Sequence, residues 1–281
     1  MDVLKSISEL RHWQLAEDAR LERGFVPTMG ALHEGHLSLI DLSKTHSDRT
    51  IVSIFVNPTQ FGEGEDFEAY PRDLDRDLNL CAERGAVAVF CPSADDMYPS
   101  GATVTVEEQS LSSVLCGRSR PGHFAGVLTV VAKLFNLVQP QCAIFGEKDA
   151  QQLRLIQAMV RDLNFPITII PAPIIRESDG LAKSSRNAYL SCEDRSLAAG
   201  IYASLKNCMD EYSRGEKDVS HLKGVLVEKL NARGLSDIDY AEIRDSRTLN
   251  EIKVVEDAAL AAVAVHVGQT RLIDNVVLGG C

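Results

Sequence analysis

Phe25-Val26-Pro27-Thr28-Met29-Gly30-Ala31-Leu32-His33-Glu34-Gly35-His36 is the stretch on which the fold turns. Phe25 and Val26 are strand formers. Pro27 cannot donate to a sheet ladder and is expected to close the strand. Gly30 and Gly35 permit a tight turn and close approach of backbone to a ligand. Beyond them Leu37, Leu39, Ile40 and Leu42 follow a helical stripe, which predicts a helix starting near Gly35 or His36. A strand that feeds a helix through glycines collects unpaired backbone N–H groups and the positive end of a helix dipole at one point, a setting suited to phosphate. His33 and His36 lie on the same side of that turn. A lone His-x-x-His is most often a pair of surface histidines; the strand and glycines around this one favour phosphate chemistry.

The pattern repeats outward. Residues 1–24 read as an amphipathic helix with Leu4, Ile7 and Leu10 on one face. Thr50–Val56 is an apolar strand ending in the loop Asn57-Pro58-Thr59-Gln60-Phe61-Gly62. The segment from there to Tyr70 is acidic and is expected to be a mobile lid. A helix begins near Pro71, carries Leu74, Leu78 and Cys81, and stops at Gly85. Val87–Phe90 is a buried strand, residues 95–101 a loop, and Thr103–Val106 alternates like an edge strand. A cationic loop, Cys116–Phe124, precedes an apolar helix over 125–138. The strand Cys142–Phe145 runs into Gly146-Glu147-Lys148-Asp149, and a helix and a strand over 166–170 follow. Continuous apolar strands alternating with helices predict an α/β fold, a Rossmann-like doubly wound parallel sheet. Such sheets bind ligands at the carboxyl ends of their strands, where the loops 27–36, 57–62 and 146–149 would gather.

The texture changes near residue 180. A polar loop, Gly180–Asn187, leads to two helices, the first capped by Ser191, and then to strands near 238–243, 259–267 and 271–277. The division expected is a nucleotide- and substrate-binding domain over 1–178 and a smaller α+β C-terminal domain over 179–281 that closes over the site.

Composition sets the outer limits. A 281-residue chain with 45% apolar and 25% charged residues can bury a core. A net charge of −11 argues against non-specific nucleic-acid binding, although one cationic pocket can still take ATP. The seven cysteines form no CxxC pair and read as reduced thiols of a cytoplasmic protein. The charged N-terminal segment does not read as a signal peptide, and no stretch approaches a membrane span. The Walker A pattern GxxxxGK(S/T) and a strand-linked GxGxxG are absent, as are HExxH and other metal-ligand spacings, so no metal held by the protein alone is expected. What remains is a set able to stabilise charge on a transferring phosphoryl or nucleotidyl group: His33, His36, Lys148 and the loop Ser184-Ser185-Arg186. Taken singly, each of the last four is a plausible solvated residue, as are the amides Gln60 and Gln152.

Together these stretches resemble a family. His33-x-Gly35-His36 after a strand, with Lys183-Ser184-Ser185-Arg186 later, is similar to the HxGH and KMSKS pair of the nucleotidyltransferase and class I aminoacyl-tRNA synthetase superfamily. Five separated motifs narrow the resemblance to the pantoate–β-alanine ligase (pantothenate synthetase) family: 27–36, Phe55–Phe61, Arg120–Val127, Phe145–Asp149 with Gln151-Gln152, and Asp179–Asn187. The likeness continues through Asp239–Ile243 and Arg271–Asn275. It implies ATP-dependent condensation of pantoate with β-alanine to pantothenate, AMP and diphosphate, through pantoyl adenylate. It also implies the roles. Met29, Gly30, Ala31, Leu32, His33, Glu34, Gly35 and His36 would cradle ATP, with His36 as proton donor and phosphate stabiliser. Gly146, Glu147, Lys148 and Asp149 would bind ATP, with Lys148 on its phosphates, and Ile175 would meet the nucleotide through its backbone. Lys183, Ser184, Ser185 and Arg186 would close over the phosphates. His36, His33, Lys148 and Arg186 form the catalytic set. Gln60 and Gln152 would hold pantoate, Gln60 also β-alanine, and Asn57 and Arg120 would order the pocket. Magnesium would come with ATP, and a homodimer is expected. Where the family often carries Met or Leu, this chain has Lys183, either a further phosphate contact or a solvent-facing side chain. The competing readings are an adenylyltransferase acting on a phosphate-containing substrate and a nucleotide-binding module without turnover.

Overall fold

A computed structural model describes residues 1–280. Its larger sheet has six parallel strands: β1 (Asp2–Leu4), β2 (Arg23–Thr28), β3 (Arg49–Ile54), β4 (Ala88–Phe90), β5 (Cys142–Gly146) and β6 (Thr168–Ala172), in the order β1-β4-β3-β2-β5-β6. The helices between them are α1 (Ile7–Ala16), α2 (Glu34–His46), α3 (Leu74–Glu83), the short α4 (Ala94–Met97) and α5 (Cys116–Ser119), α6 (His123–Val138) and α7 (Ala150–Asp162). Strand order reverses between β2 and β5, so the crevice of this sheet opens where the 27–36 and 146–149 loops leave it.

Burial on both faces explains the unbroken apolar strands. Phe25 and Val26 are both fully buried, yet Phe25 joins the cluster under α6 and Val26 the one under α2. Each such side chain contributes about 1.5–3 kcal/mol on leaving water. α6 is apolar nearly all round because it lies within the core, its Phe135 edge-on to Phe25, Phe145 and Phe165.

Four local expectations change. Pro27 does not close β2, which runs to Thr28 with Pro27 opposite Ser53; β5 pairs with β2 only at Gly24 and Phe25, so the missing N–H of Pro27 leaves no gap in a ladder. Residues 1–24 are not one helix: Asp2–Leu4 pairs with β4, and Ser6 caps α1 by accepting from the Glu9 N–H. A period-three apolar pattern this short does not distinguish a helix from a strand followed by one. Residues 95–101 contain most of α4, whose start is a reciprocal Ser93–Asp96 capping box. Thr103–Val106 joins no strand ladder among the described residues; its Val106 N–H donates to Thr129 Oγ1, and Val104 is 85% exposed.

The remaining chain forms α8 (Cys192–Ser213), α9 (Val219–Asn231) and an antiparallel sheet of β7 (Ile238–Asp245), β8 (Ala258–Val267) and β9 (Thr270–Gly279), with β8 central. β8 is apolar at almost every position because it too is covered twice. Ala259, Ala261, Val263 and Val265 face α8 and α9, while Leu260, Ala262 and Ala264 belong to the core of the parallel-sheet unit.

Candidate active site

The turn after β2 is built around His33. Its ring folds back so that Nδ1 accepts from the Gly35 N–H at 3.1 Å, capping α2. A backbone donor settles the tautomer, leaving the proton on Nε2. A Cβ on residue 35 would stand 2.8 Å from that ring, so glycine is required there. The ring stacks on His36 at 4.1 Å between centroids. Burial, then the Lys148 and Lys183 charges, lower the His33 pKa to about 4. Burial, then His33 and Lys148, hold His36 well below its ordinary range. Both rings are therefore neutral near pH 7. His36 Nδ1 is buried without a hydrogen-bond partner among the described residues, a polar atom whose cost a ligand can remove.

The backbone N–H groups expected to cradle phosphate are mostly engaged. Asp77 takes those of Ala31 and Leu32, Thr28 Oγ1 accepts from Gly30, and His36 donates to His33. Positive charge near the turn comes instead from side chains opposite. Lys148, 21% exposed, has only a loose pairing with Asp149 at 4.0 Å. Its turn is held by Asn275 of β9, which donates to the Glu147 and Lys148 carbonyls, both at 3.0 Å. Lys183 pairs with Glu177 at 3.1 Å and lines the cavity rather than pointing to solvent. Its N–H donates to the Ile175 carbonyl. Arg186 forms a two-pronged pair with Asp66 and lies over the Tyr70 ring.

These elements enclose a cavity of about 240 Å³, beside a larger one of about 720 Å³ that shares Lys148, Gln152 and Arg186 with it. Met29, His33, Gly35, His36, Gln60, Gly146, Lys148, Asp149, Gln152, Ile175 and Lys183–Arg186 line the smaller space. Gly30, Ala31, Leu32, Glu34 and Glu147 do not; Leu32 is buried and Glu34 pairs outward with Arg84.

Gln60 is oriented by unambiguous backbone groups two steps away. Asn57, 1% exposed, accepts at Oδ1 from the Thr59 N–H and donates at Nδ2 to the Gly126 carbonyl. The same Nδ2 donates to Gln60 Oε1 at 3.1 Å, so Gln60 Nε2 faces the cavity, resting on Met29 Sδ, a weak acceptor. Tyr98 donates to Asn57 Oδ1 from behind. His123 supports the Gln60 backbone: Nδ1–H donates to the Gln60 carbonyl at 2.8 Å, and Nε2 accepts from Arg120. Burial and the Arg120 charge lower the His123 pKa to about 4, which fits this neutral bridge. Arg120 in turn grips Glu65 with two nitrogens. Burial works against the Glu65 carboxylate, but Arg120 outweighs it and its pKa is lowered. The acidic segment expected to be mobile is thus tied down by Glu65–Arg120, Asp66–Arg186 and Tyr189 donating to the Ala69 carbonyl.

The adjacent glutamines part company. Gln151 is structural, accepting from the Cys116 N–H and donating to the Leu111 and Val114 carbonyls, whereas Gln152 faces the cavity. Glu65, Asp66, Asp77, His123 and Asn275 carried no role in the sequence reading. The Arg-Pro-Gly-His run 120–123 is a visible signal for His123 and the Arg271–Asn275 likeness for Asn275; isolated carboxylates in distant segments give none.

Two stacked neutral histidines facing lysines across the switch point of a parallel sheet define a nucleotide-handling α/β enzyme. A family model described as pantoate-beta-alanine ligase matches residues 2–277, and the chain belongs to that family. It is 49% identical to a pantothenate synthetase of Thermotoga petrophila over 99% of this chain and 100% of that one. It is 48% identical to one from Clostridium botulinum over 98% of both. Among solved structures, pantothenate synthetase from Thermus thermophilus superposes with a TM-score of 0.94 at 43% identity, covering 98% of this chain and 99% of that one. Pantoate-beta-alanine ligase from Francisella tularensis, complexed with beta-gamma ATP and beta-alanine, gives a TM-score of 0.81 at 37% identity, covering 98% and 97%.

Proposed function

We propose that this chain joins pantoate to β-alanine at the expense of ATP, through pantoyl adenylate, in the cavity between His36 and Lys148. Family membership supports the overall reaction. The observation that carries the site is His36, whose buried Nδ1 has no partner among the described residues and whose residue lines the same space as Lys148, Gln60 and Gln152. In the first step a pantoate carboxylate oxygen attacks the α-phosphorus, the bond to the bridging oxygen breaks, and diphosphate leaves. In the second the β-alanine amine attacks the acyl carbon, AMP leaves, and the amine gives up a proton. Gln60 Nε2 and Gln152 hold pantoate, and Gln60 also borders β-alanine. A neutral His36 serves as a hydrogen-bonding group beside the phosphates, so the charge stabilisation falls on Lys148, Lys183 and Arg186. Enclosure beneath residues 62–70 keeps the adenylate from water and beside the amine.

Magnesium accompanies ATP. No three His, Cys, Asp or Glu side chains converge among the described residues, so phosphate oxygens and water supply most donors, with Asp149 on the wall able to share the ion. Residues 1–178 hold the substrates and 179–281 close over them. A cytoplasmic homodimer completes the reading. The exposed Val104, in a run that joins no strand ladder among the described residues, offers a contact for a second copy, and the mostly buried free thiols suit a reducing compartment. The deciding experiment supplies ATP and pantoate, then β-alanine. Diphosphate release that requires pantoate, followed by AMP release that requires β-alanine, is expected. Diphosphate release only with a phosphorylated substrate would refute the ligase reading.

A further inference from the structure

Asp77 lies on α3, outside the cavity wall, and its side chain is 1% exposed. Its two oxygens separately accept from consecutive backbone N–H groups, Ala31 at 2.7 Å and Leu32 at 2.8 Å. The turn offering them is strained: Gly30 sits at φ +82° and Ala31, which is not glycine, at φ +50°. Consecutive N–H groups turned to one side make a concavity for an anion. Here a carboxylate of the chain itself fills it. Neighbouring Arg76 completes the clamp, donating to the Leu32 carbonyl at 3.1 Å. Burial raises the Asp77 pKa, and the two N–H bonds act against that rise.

We propose that Asp77 is a positioning residue for the reaction: its carboxylate holds Gly30–Leu32 in the left-handed turn that sets where α2 begins, and so where the stacked rings of His33 and His36 stand. The contact spans 45 residues and joins α3 to the start of the histidine turn. Asparagine has the same shape but turns an NH₂ toward one of the two N–H groups, leaving that donor unpaired. Glycine at 31 takes φ +50° without the steric penalty an alanine pays, so it reduces the need for the clamp.

The inference rests on the proposed ligase reaction. Absence of pantoate-dependent diphosphate release from the unaltered protein would remove that reading, whereas the positioning role of Asp77 is judged by differences between variants. The test is a double-mutant cycle of Asp77→Asn and Ala31→Gly. Single-turnover diphosphate release, KM for pantoate and melting temperature are measured, with kinetics taken well below each melting temperature. Asp77→Asn is expected to lower turnover about 10- to 100-fold, the scale of one buried donor left unpaired, with KM for pantoate changed less than about threefold. Adding Ala31→Gly is expected to recover at least about fivefold. Turnover of Asp77→Asn within about twofold of the unaltered protein would overturn the proposal. So would effects that simply multiply, or failure of both Asp77→Asn and the double variant to fold, which would make Asp77 a support of the fold alone.

Discussion

Changing Asn57 to Asp tests whether recognition of pantoate depends on which way one amide points. The substitution adds no volume and keeps the bonds that Tyr98 and Thr59 make to Oδ1. It replaces a donor with an acceptor at the atom that now serves Gln60 Oε1 at 3.1 Å and the Gly126 carbonyl at 3.2 Å. Gln60 is then favoured with Nε2 toward residue 57 and Oε1 toward the cavity, where it meets the oxygens of pantoate instead of donating to them. One reversed polar contact costs about 1–3 kcal/mol, which corresponds to a loss of about 5- to 150-fold in kcat/KM for pantoate. The Gly126 carbonyl belongs to α6 and loses only its second donor, so a carboxylate oxygen buried against it should appear separately as a loss of about 1–3 kcal/mol in unfolding free energy. Neither change touches the wall formed by Lys148 and Arg186, so KM for ATP should move less than about threefold. Steady-state kinetics with each substrate varied in turn, together with urea unfolding, measures all three. An unchanged kcat/KM for pantoate in a folded Asn57→Asp protein would refute the chain of orientation from Gly126 to Gln60.

Other outcomes follow from the same geometry. His36→Ala should lower pantoate-dependent diphosphate release about 100-fold or more; near-unaltered turnover would remove His36 from the mechanism. His33 and His123 have folded pKa values of about 4 against about 6.5 unfolded, so the unfolded chain takes up their protons first. Their contribution is complete above pH 6.5 and is lost as pH falls toward 4, by about 1.4 kcal/mol per unit for each histidine. Urea titrations across that window should show His123→Gln reducing proton uptake on unfolding by about one; unchanged uptake would contradict the neutral bridge to Arg120. Asp66→Asn releases Arg186 from a carboxylate that a phosphate must otherwise displace. ATP affinity should rise about fivefold, equivalent to ~1 kcal/mol for a partly exposed pair, and protease cleavage within 62–70 should quicken. Unchanged ATP affinity would show that Asp66 does not compete for that arginine.

Local chemistry made the larger unit legible. Near-continuous apolar runs at 51–56, 87–90 and 142–145 fit a sheet covered on both faces, and Gly30, Gly35 and the histidines marked its crevice. Motif resemblance carried Gln60, Gln152 and the 183–186 loop to one cavity. Partnership was harder to read. The reversed polarity of the His33 turn, whose N–H groups are consumed by Asp77, depends on a contact across 45 residues. The lid's attachment depends on Glu65 and Asp66 finding arginines 55 and 120 residues away. Pairings of that range leave no periodic trace, and an acidic segment with glycines looks the same whether its charges are solvated or matched. Thr103–Val106 shows the converse: alternation states what a strand would need, not that a neighbour is present within the same chain.

The doubly covered strand β8 bears on how the molecule is assembled during synthesis. Leu260, Ala262 and Ala264, with Tyr240 and Leu249, complete the core of a unit whose strands end at position 172. When the parallel sheet has emerged from the ribosome, the surface these residues cover is still exposed, and remains so until translation has passed residue 264. The nascent protein therefore carries an uncovered apolar face for roughly 90 further codons, several seconds of elongation at about 5–20 residues per second. Shortening the chain before β8 should leave that face permanently open, giving a fragment that associates with itself rather than a smaller working enzyme.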